Sequence, residues 1–455
     1  MPRALALAPA EKFLSSIPTE KDNAGDSVEG DGSPSSAQAT ARFSDRLFQH
    51  PAVEVLRYRD FRLLWFGHVF GSMAFWMDQV TRGWLIYELT NSTVQLGMIR
   101  GVQAIPILFL SPIAGSVADR YSRRMQILIT QCADGAMFAV LAGLIVTGNI
   151  EPWHVYATAF GMAVVQTFHQ PARAAIIADV VPRTHLTNAI GLGSMIFNVA
   201  RSLGPALAGV LITVSGTGGA YAAQAFFFVL ATFWTWQLSG AEPGAAKSRA
   251  HASQHASLGS SIVEGWRFSW QNETVRTALL ITMLAALFIV PFTALLPVFA
   301  RDILRVGASG QGLLLTAMGV GALGSAVMIT GFGDRMPRGK IMLGGVALYG
   351  LGAAAFGVSP WFHFSMLLMI VIGFANVCSH ALVQTVLQTY SPPEFRGRTI
   401  ALFHMSQVVM TVGSMMIGSL AAFMGAQWSV ALMGTVGALA MLGIHFALPK
   451  AWHIR

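Results

Sequence analysis

From Phe61 onward the chain is a succession of long apolar runs parted by short polar turns. Each run is about as long as the roughly 20 residues that an α-helix needs to cross a bilayer. Lipid offers no water to backbone N–H and C=O groups, so segments of this kind must satisfy their hydrogen bonds internally, as helices. Twelve runs can be discerned, with approximate limits 61–87, 94–118, 125–148, 152–181, 187–214, 219–238, 277–300, 309–332, 340–358, 361–390, 398–424 and 427–448. The expected fold class is an all-α integral membrane protein of twelve helices in two pseudo-symmetric six-helix bundles.

Composition decides between membrane and nucleic acid as the partner of a basic chain. Hydrophobic residues make up 54% and charged residues 11%, more apolar than a soluble core requires. The net charge of +8 is not gathered into one patch, so no nucleic-acid partner is expected. Its carriers sit in alternate loops: Arg57, Arg59 and Arg62 before the first span, Arg120, Arg123 and Arg124 after the second, and Arg183 after the fourth. Lys247, Arg249, Arg267 and Arg276 follow the sixth, Arg335, Arg338 and Lys340 the eighth, and Arg396 with Arg398 the tenth. The loops near Asn91, Asn149, Thr217, Ser359 and Gly425 carry none, and Arg301 with Arg305, partly offset by Asp302, is the one exception. The positive-inside rule then places both termini in the cytoplasm.

The segment Ala4 to Ala10 is short, interrupted by Pro9 and closed by Glu11-Lys12, which does not fit a secretory signal. Residues 15–41 have no apolar period and read as a disordered tail. The expected organisation is a tail over 1–56, a first bundle over 57–238, a central loop over 239–276 and a second bundle with a short tail over 277–455. Pro243 and Gly244 mark linker within that loop, and Ile262 to Thr274 could lie on the membrane surface as an amphipathic helix. Cys132 and Cys378 both fall inside apolar runs, so neither a disulfide framework nor a metal site is expected.

Polar residues in such runs carry the function. Gly115-x-x-x-Asp119-Arg120-x-x-Arg123-Arg124 joins spans two and three, and Asp334-Arg335-x-x-Arg338 stands in the equivalent loop of the second half. Gln166, Gln170 and Arg173 in span four are echoed by Asn376, His380, Gln384 and Gln388 in span ten. Spacing of about four puts each set on one helix face, turned away from lipid. Asp78 and Arg82 lie four apart on span one and can pair, serving as an ion pair or as a substrate or proton site. Asn198 and Arg201 share a face of span five, Arg100 can snorkel near the outer end of span two, and Asp134 reads as structural. His169 and His380 could relay protons or simply hydrogen-bond. Gly319-x-Gly321-x-x-Gly324 fits a dinucleotide fingerprint, but it lies within an apolar span and reads as helix packing. No Walker loop, zinc ligand set or nucleophile elbow is present, so no enzyme chemistry is expected.

The loop at Gly115, Asp119, Arg120, Arg123 and Arg124 resembles the signature of the major facilitator superfamily, with Ser122 in place of a common glycine. Further features are similar to its drug and siderophore exporter branch, which includes the enterobactin exporter and macrolide efflux proteins. They are Phe61-Arg62-x-x-Trp65, Trp84-Leu85-x-Tyr87-x-Leu89-Thr90-x-Ser92, Leu296-Pro297 and Arg396-Gly397-Arg398. Asn198-x-x-Arg201-x-x-Gly204-Pro205-x-x-x-Gly209 resembles the fifth-span motif associated with export, with Ala208 in place of one glycine. The resemblance implies a midplane cavity, alternating access, and efflux of a small organic molecule with no cofactor beyond a proton gradient. It also implies cytoplasmic latches: Asp119 near the start of span eleven, and Arg123 or Arg124 near Asp179, with Asp334, Arg335 and Arg338 as the second set. Arg82, Arg100, Arg173 and Arg201 outnumber Asp78 and Asp134 in the first half, a lean toward anionic or polar amphiphiles. A lysophospholipid or nutrient importer and a non-transporting sensor of the same fold are the alternatives. A monomer in the bacterial inner membrane is expected.

Overall fold

The computed structural model describes residues 54–239, 258–332 and 337–448, and within them the side chains at 112, 119, 258–263, 265 and 332, Asp119 among them, fall outside the description. The expected tail as far as residue 53, the linker over 240–257, and Asp334 with Arg335 lie outside the described residues as well.

The described chain is helical throughout. In the first half, α1 is Arg59–Thr90, α2 Thr93–Arg120, α3 Arg123–Val146 and α4 Pro152–Val180. The next helical stretch, Leu186–Trp236, is two helices: Gly216 at its middle has φ 71° and ψ 177°, a backbone that side-chain-bearing residues rarely adopt. The chain folds back there, because residues on both sides of Gly216 lie along α1. Gly204 lies against Trp76, while Gly71 faces Phe228 and Gly67 faces Thr235. Residues 186–215 are therefore α5 and 217–236 are α6.

Helix α7 (Leu258–Gln271) precedes the second half and starts and ends a few residues earlier than the sequence suggests. It docks on the segment after span ten through Phe268 stacked on Phe395 at 4.6 Å and Glu264 paired with Arg398 at 2.7 Å, and leaves Trp266 and Trp270 exposed. The second half runs α8 (Glu273–Ile303), α9 (Gly307–Phe332), α10 (Arg338–Val358), α11 (Phe362–Tyr390), α12 (Pro393–Met424) and α13 (Ala426–Ala447). Two of these differ from the expected regular spans. Helix α8 passes into π turns over Ala285–Ile289 and Phe299–Ile303 with a 3-10 stretch, Val290–Leu295, between them. Pro291 and Pro297 withhold backbone donors there, which loosens the ladder. Helix α12 begins at Pro393 rather than 398 and is interrupted at Met405.

Among the described residues nine segments are long and apolar enough to cross a membrane, one of them holding both α5 and α6. Helices α1 and α4 are long enough, at 32 and 29 residues, but carry the polar residues on which the site depends. Val146, Val214, Phe423 and Phe446 are 79–89% exposed. Apolar side chains laid bare along the outside of a bundle are what lipid requires and water does not.

The halves meet through helices with small residues at the contact. Helix α2 packs against α12 and α5 against α9. A Cβ added at Gly209 would stand 2.6 Å from the Ala308 carbonyl, one at Gly312 3.1 Å from Ala206 Cα, and one at Gly418 2.6 Å from the Thr93 carbonyl. Only glycine permits backbones to approach so closely. Thr93 Oγ1 donates to the Gly418 carbonyl at 2.9 Å, Thr316 Oγ1 to the Ser202 carbonyl at 2.8 Å, and the Thr213 and Ser309 hydroxyls lie 2.7 Å apart. All these contacts fall in the half of the molecule nearer the Asn91 loop. The halves are closed on the Asn91 side.

Candidate functional site

Toward the opposite side, that of Arg120, the halves part around a cavity. Its inner chamber, about 380 Å³, is bordered by Arg100 and Arg201 from the first half and by Tyr349, Asn376 and His380 from the second. Trp76, Leu315, Met318 and Val346 supply apolar wall. The irregular part of α8 reaches it at Ala285, Val290 and Thr293, and α12 just past its break at Ser406 and Gln407. An adjoining chamber of about 850 Å³ shares Arg201, Asn376 and His380 and adds Gln170, Arg173, Asn198 and Gln384. The stripes of spans four and ten thus face each other across the larger chamber.

Gln166 departs from that stripe. Its amide donates to Asp134 Oδ2 at 3.1 Å, inside the first half. His169 pairs with Thr130 Oγ1 at 2.9 Å and, with Gln131 and Gln166, borders a side pocket of about 190 Å³ that shares His68, Gln170 and Arg173 with the larger chamber. Four residues add 40° to a full turn, enough for Gln166 and Gln170 to meet different neighbours.

Asp78 and Arg82 form the buried ion pair their spacing allows, Nε to Oδ2 at 2.9 Å with both residues 3% exposed. Arg82 is bound further to α4: Nη1 donates to the Val155 carbonyl and to Thr158 Oγ1, each at 3.0 Å, and Nη2 approaches Met162 Sδ at 2.8 Å. Oδ1 of Asp78 makes no hydrogen bond. Asp78 and Arg82 border a small chamber of about 50 Å³ beyond Arg100, closed on the far side by Thr293, Pro297 and Gln311 of the second half. Arg100 does not snorkel to the surface; its Nη2 donates to Gln79 Oε1 at 2.7 Å.

Of the latch residues, Arg123 pairs with Asp179 across α3 and α4, and Arg124 donates to the Trp236 carbonyl at 2.5 Å. Arg120 is exposed and Gly115 has open space where a Cβ would stand. Arg338 opens α10. Gly204, Pro205 and Gly209 act in packing: Gly204 against Trp76 of α1, the other two against α9.

One element was missed in the sequence. Tyr87 at the end of α1 donates to Asp302 of α8, and Arg301 Nη1 donates to Asn91 Oδ1 at 3.0 Å with its guanidinium 5.4 Å from the Tyr87 ring centre. These contacts tie the halves together on the Asn91 side. The signal was Arg301 itself, the arginine that broke the alternation of charge between loops.

A family model described as transmembrane secretion effector matches residues 52–453. The staphyloferrin A transporter of Staphylococcus aureus is 24% identical over 368 residues, 79% of this chain and 89% of that protein. The multidrug efflux pump Tap of Mycobacterium tuberculosis is 27% identical over 329 residues, 70% of this chain and 76% of the pump. Among solved structures, a bacterial homolog of the human lysosomal transporter Spinster superposes with TM-score 0.66 at 14% identity, covering 87% of this chain and 96% of that one. The nucleoside transporter NupG gives 0.66 at 14% identity over 87% and 99%.

Proposed function

Since the chain belongs to the transmembrane secretion effector family of major facilitator transporters, we propose that it exports a small drug- or siderophore-like organic molecule by alternating access, driven by the proton gradient. The observation that carries this reading is the cavity between the halves, open toward Arg120 and sealed at the Asn91 side by glycine contacts and the Tyr87–Asp302 and Arg301–Asn91 bonds. The arginine-rich loops support a cytoplasmic open side, with both termini on that side. Helices α1 to α6 and α8 to α13 support a reading of twelve crossings in two bundles, and a monomer suffices for it because one chain encloses the whole cavity. The two named relatives are a siderophore transporter and an efflux pump, in keeping with cargo of that kind.

The latch loop works in the other state. Closing the cytoplasmic side brings Asp119 toward the start of α12, where a helix N-terminus favours a carboxylate by about 0.3–1 kcal/mol. Asp119→Asn should slow cycling in vesicles while leaving insertion and folding intact; unimpaired transport by the folded variant would remove the latch from the mechanism.

Coupling centres on Asp78. It shares a helix with Arg82, which is tied to α4 of the same half, so rocking of the halves leaves the pair together. Rocking instead opens or closes the chamber that α8 and α9 cap beside Asp78. Water admitted there gives the carboxylate a proton path, and drying penalises its charge. Asp78→Asn should abolish accumulation of substrate against a gradient in inside-out vesicles while sparing downhill exchange. Wild-type accumulation by that variant would move coupling to Asp134 or the histidines, and accumulation of cargo in the opposite direction would replace export with import.

A further inference from the structure

Among the described residues every formally charged side chain bordering the two chambers is an arginine: Arg100 and Arg201 on the inner, Arg173 and Arg201 on the outer. The acids of the first half are withdrawn from both. Asp78 is held by Arg82, Asp134 by Gln166 and Asp179 by Arg123. On the second half Asp302 is engaged by Tyr87 at the closed side. Arg100 is satisfied in part by Gln79, whereas Arg173 and Arg201 make no hydrogen bond or ion pair within the described protein. The titratable groups in electrostatic reach of these two are themselves bases, His68 and His169 beside Arg173 and His380 beside Arg201. A guanidinium left without a counter-charge at membrane depth is costly, and an anion brought to it recovers that cost.

We propose that the cavity binds an amphiphilic organic anion, whose acid group is held by Arg201 and whose apolar body lies against Trp76, Leu315 and Met318. The proposal rests on the transport reading above and names its substrate class. Arg201 is the cation common to both chambers, and Trp76, Leu315 and Met318 stand beside it only on the inner one. Arg173 lies nearer the mouth. Its guanidinium reaches α5 beside Gly193, and eight residues of helix, roughly 12 Å of rise, separate that point from Arg201. It attracts the anion at entry, and Arg201 retains it. A cationic amphiphile of the same shape meets arginine at both stations with no carboxylate to receive it.

Binding to purified protein in lipid nanodiscs tests this, with empty discs to subtract partition into lipid. The probes share one aromatic body: naphthaleneacetate, naphthaleneacetamide and naphthylethylammonium. The acid should bind at least about tenfold more tightly than the amide or the amine, the worth of one charge-assisted hydrogen bond. Arg201→Gln should erase that preference, Arg201→Lys should keep most of it, and Arg173→Gln should slow association with a smaller loss of affinity. Equal or tighter binding of the amine, no binding of any probe, or an unchanged preference in both glutamine variants overturns the proposal. The measurement needs no gradient, so acid binding without vesicle transport would contradict the transport reading alone, and transport with amine preference would contradict this inference alone.

Discussion

Arg82→Met should destabilise the detergent-purified protein by about 3–5 kcal/mol, the usual cost of removing one partner from a buried ion pair. Methionine fills much of the volume, so the loss measures charge and hydrogen bonding more than a cavity. Arg82 neutralises Asp78 and donates to two acceptors on α4, binding α1 to α4 deep in the first half. Without it the Asp78 carboxylate stays buried with no cation bonded to it, and the Val155 carbonyl loses a donor. The double variant Asp78→Leu with Arg82→Met should recover a large part of the loss, since replacing both members of such a pair by apolar groups is often close to neutral. Equal destabilisation by single and double variants in thermal unfolding would mean that Arg82 acts mainly through α4.

Gly209→Ala should shift the conformational balance toward the state in which the Asn91 side is open. The added methyl would stand 2.6 Å from the Ala308 carbonyl and 3.0 Å from Ser309 Cα, both on α9. Backbone cannot yield as a flexible side chain does, so α5 and α9 must separate. Overpacking of this kind costs about 1–3 kcal/mol, and a bias of that size changes the ratio of two states by about 5- to 150-fold. Spin labels on the Asn91-side ends of α5 and α9 should report longer distances in the variant. Gly143→Ala, where a Cβ meets nothing within 4 Å, is the control and should leave the distances unchanged.

The membrane architecture was legible because lipid leaves a chain so few options. Apolar length, arginine placement and the loop motif sufficed for the helices, for their approximate limits, and for pairing Asp78 with Arg82, whose i,i+4 spacing needs no knowledge of neighbours. Contacts between helices were not legible in this way. Gln166 and Gln170 have the same spacing, yet one bonds Asp134 on α3 and the other reaches the cavity, since the neighbouring helix decides which faces are wet. The irregular path of α8 had Pro291 and Pro297 as its signals, but two prolines do not say where π turns will form. Arg301 breaks the charge alternation in the sequence, but its bond to Asn91 depends on the ends of α1 and α8 lying side by side, which no local pattern encodes.

The central claim is that the two halves move against each other around the cavity, opening the contact that now closes the Asn91 side. Thr213 and Ser309 meet across that contact with hydroxyls 2.7 Å apart, close enough for a disulfide if both are replaced by cysteine in a chain without Cys132 and Cys378. Transport of a substrate by this double variant in proteoliposomes, oxidised and then reduced, tests the claim most directly. Oxidation should stop transport while leaving substrate binding from the Arg120 side intact, and reduction should restore it. Transport by the fully cross-linked protein at the reduced rate would contradict the account, because the route would then not pass between α5 and α9.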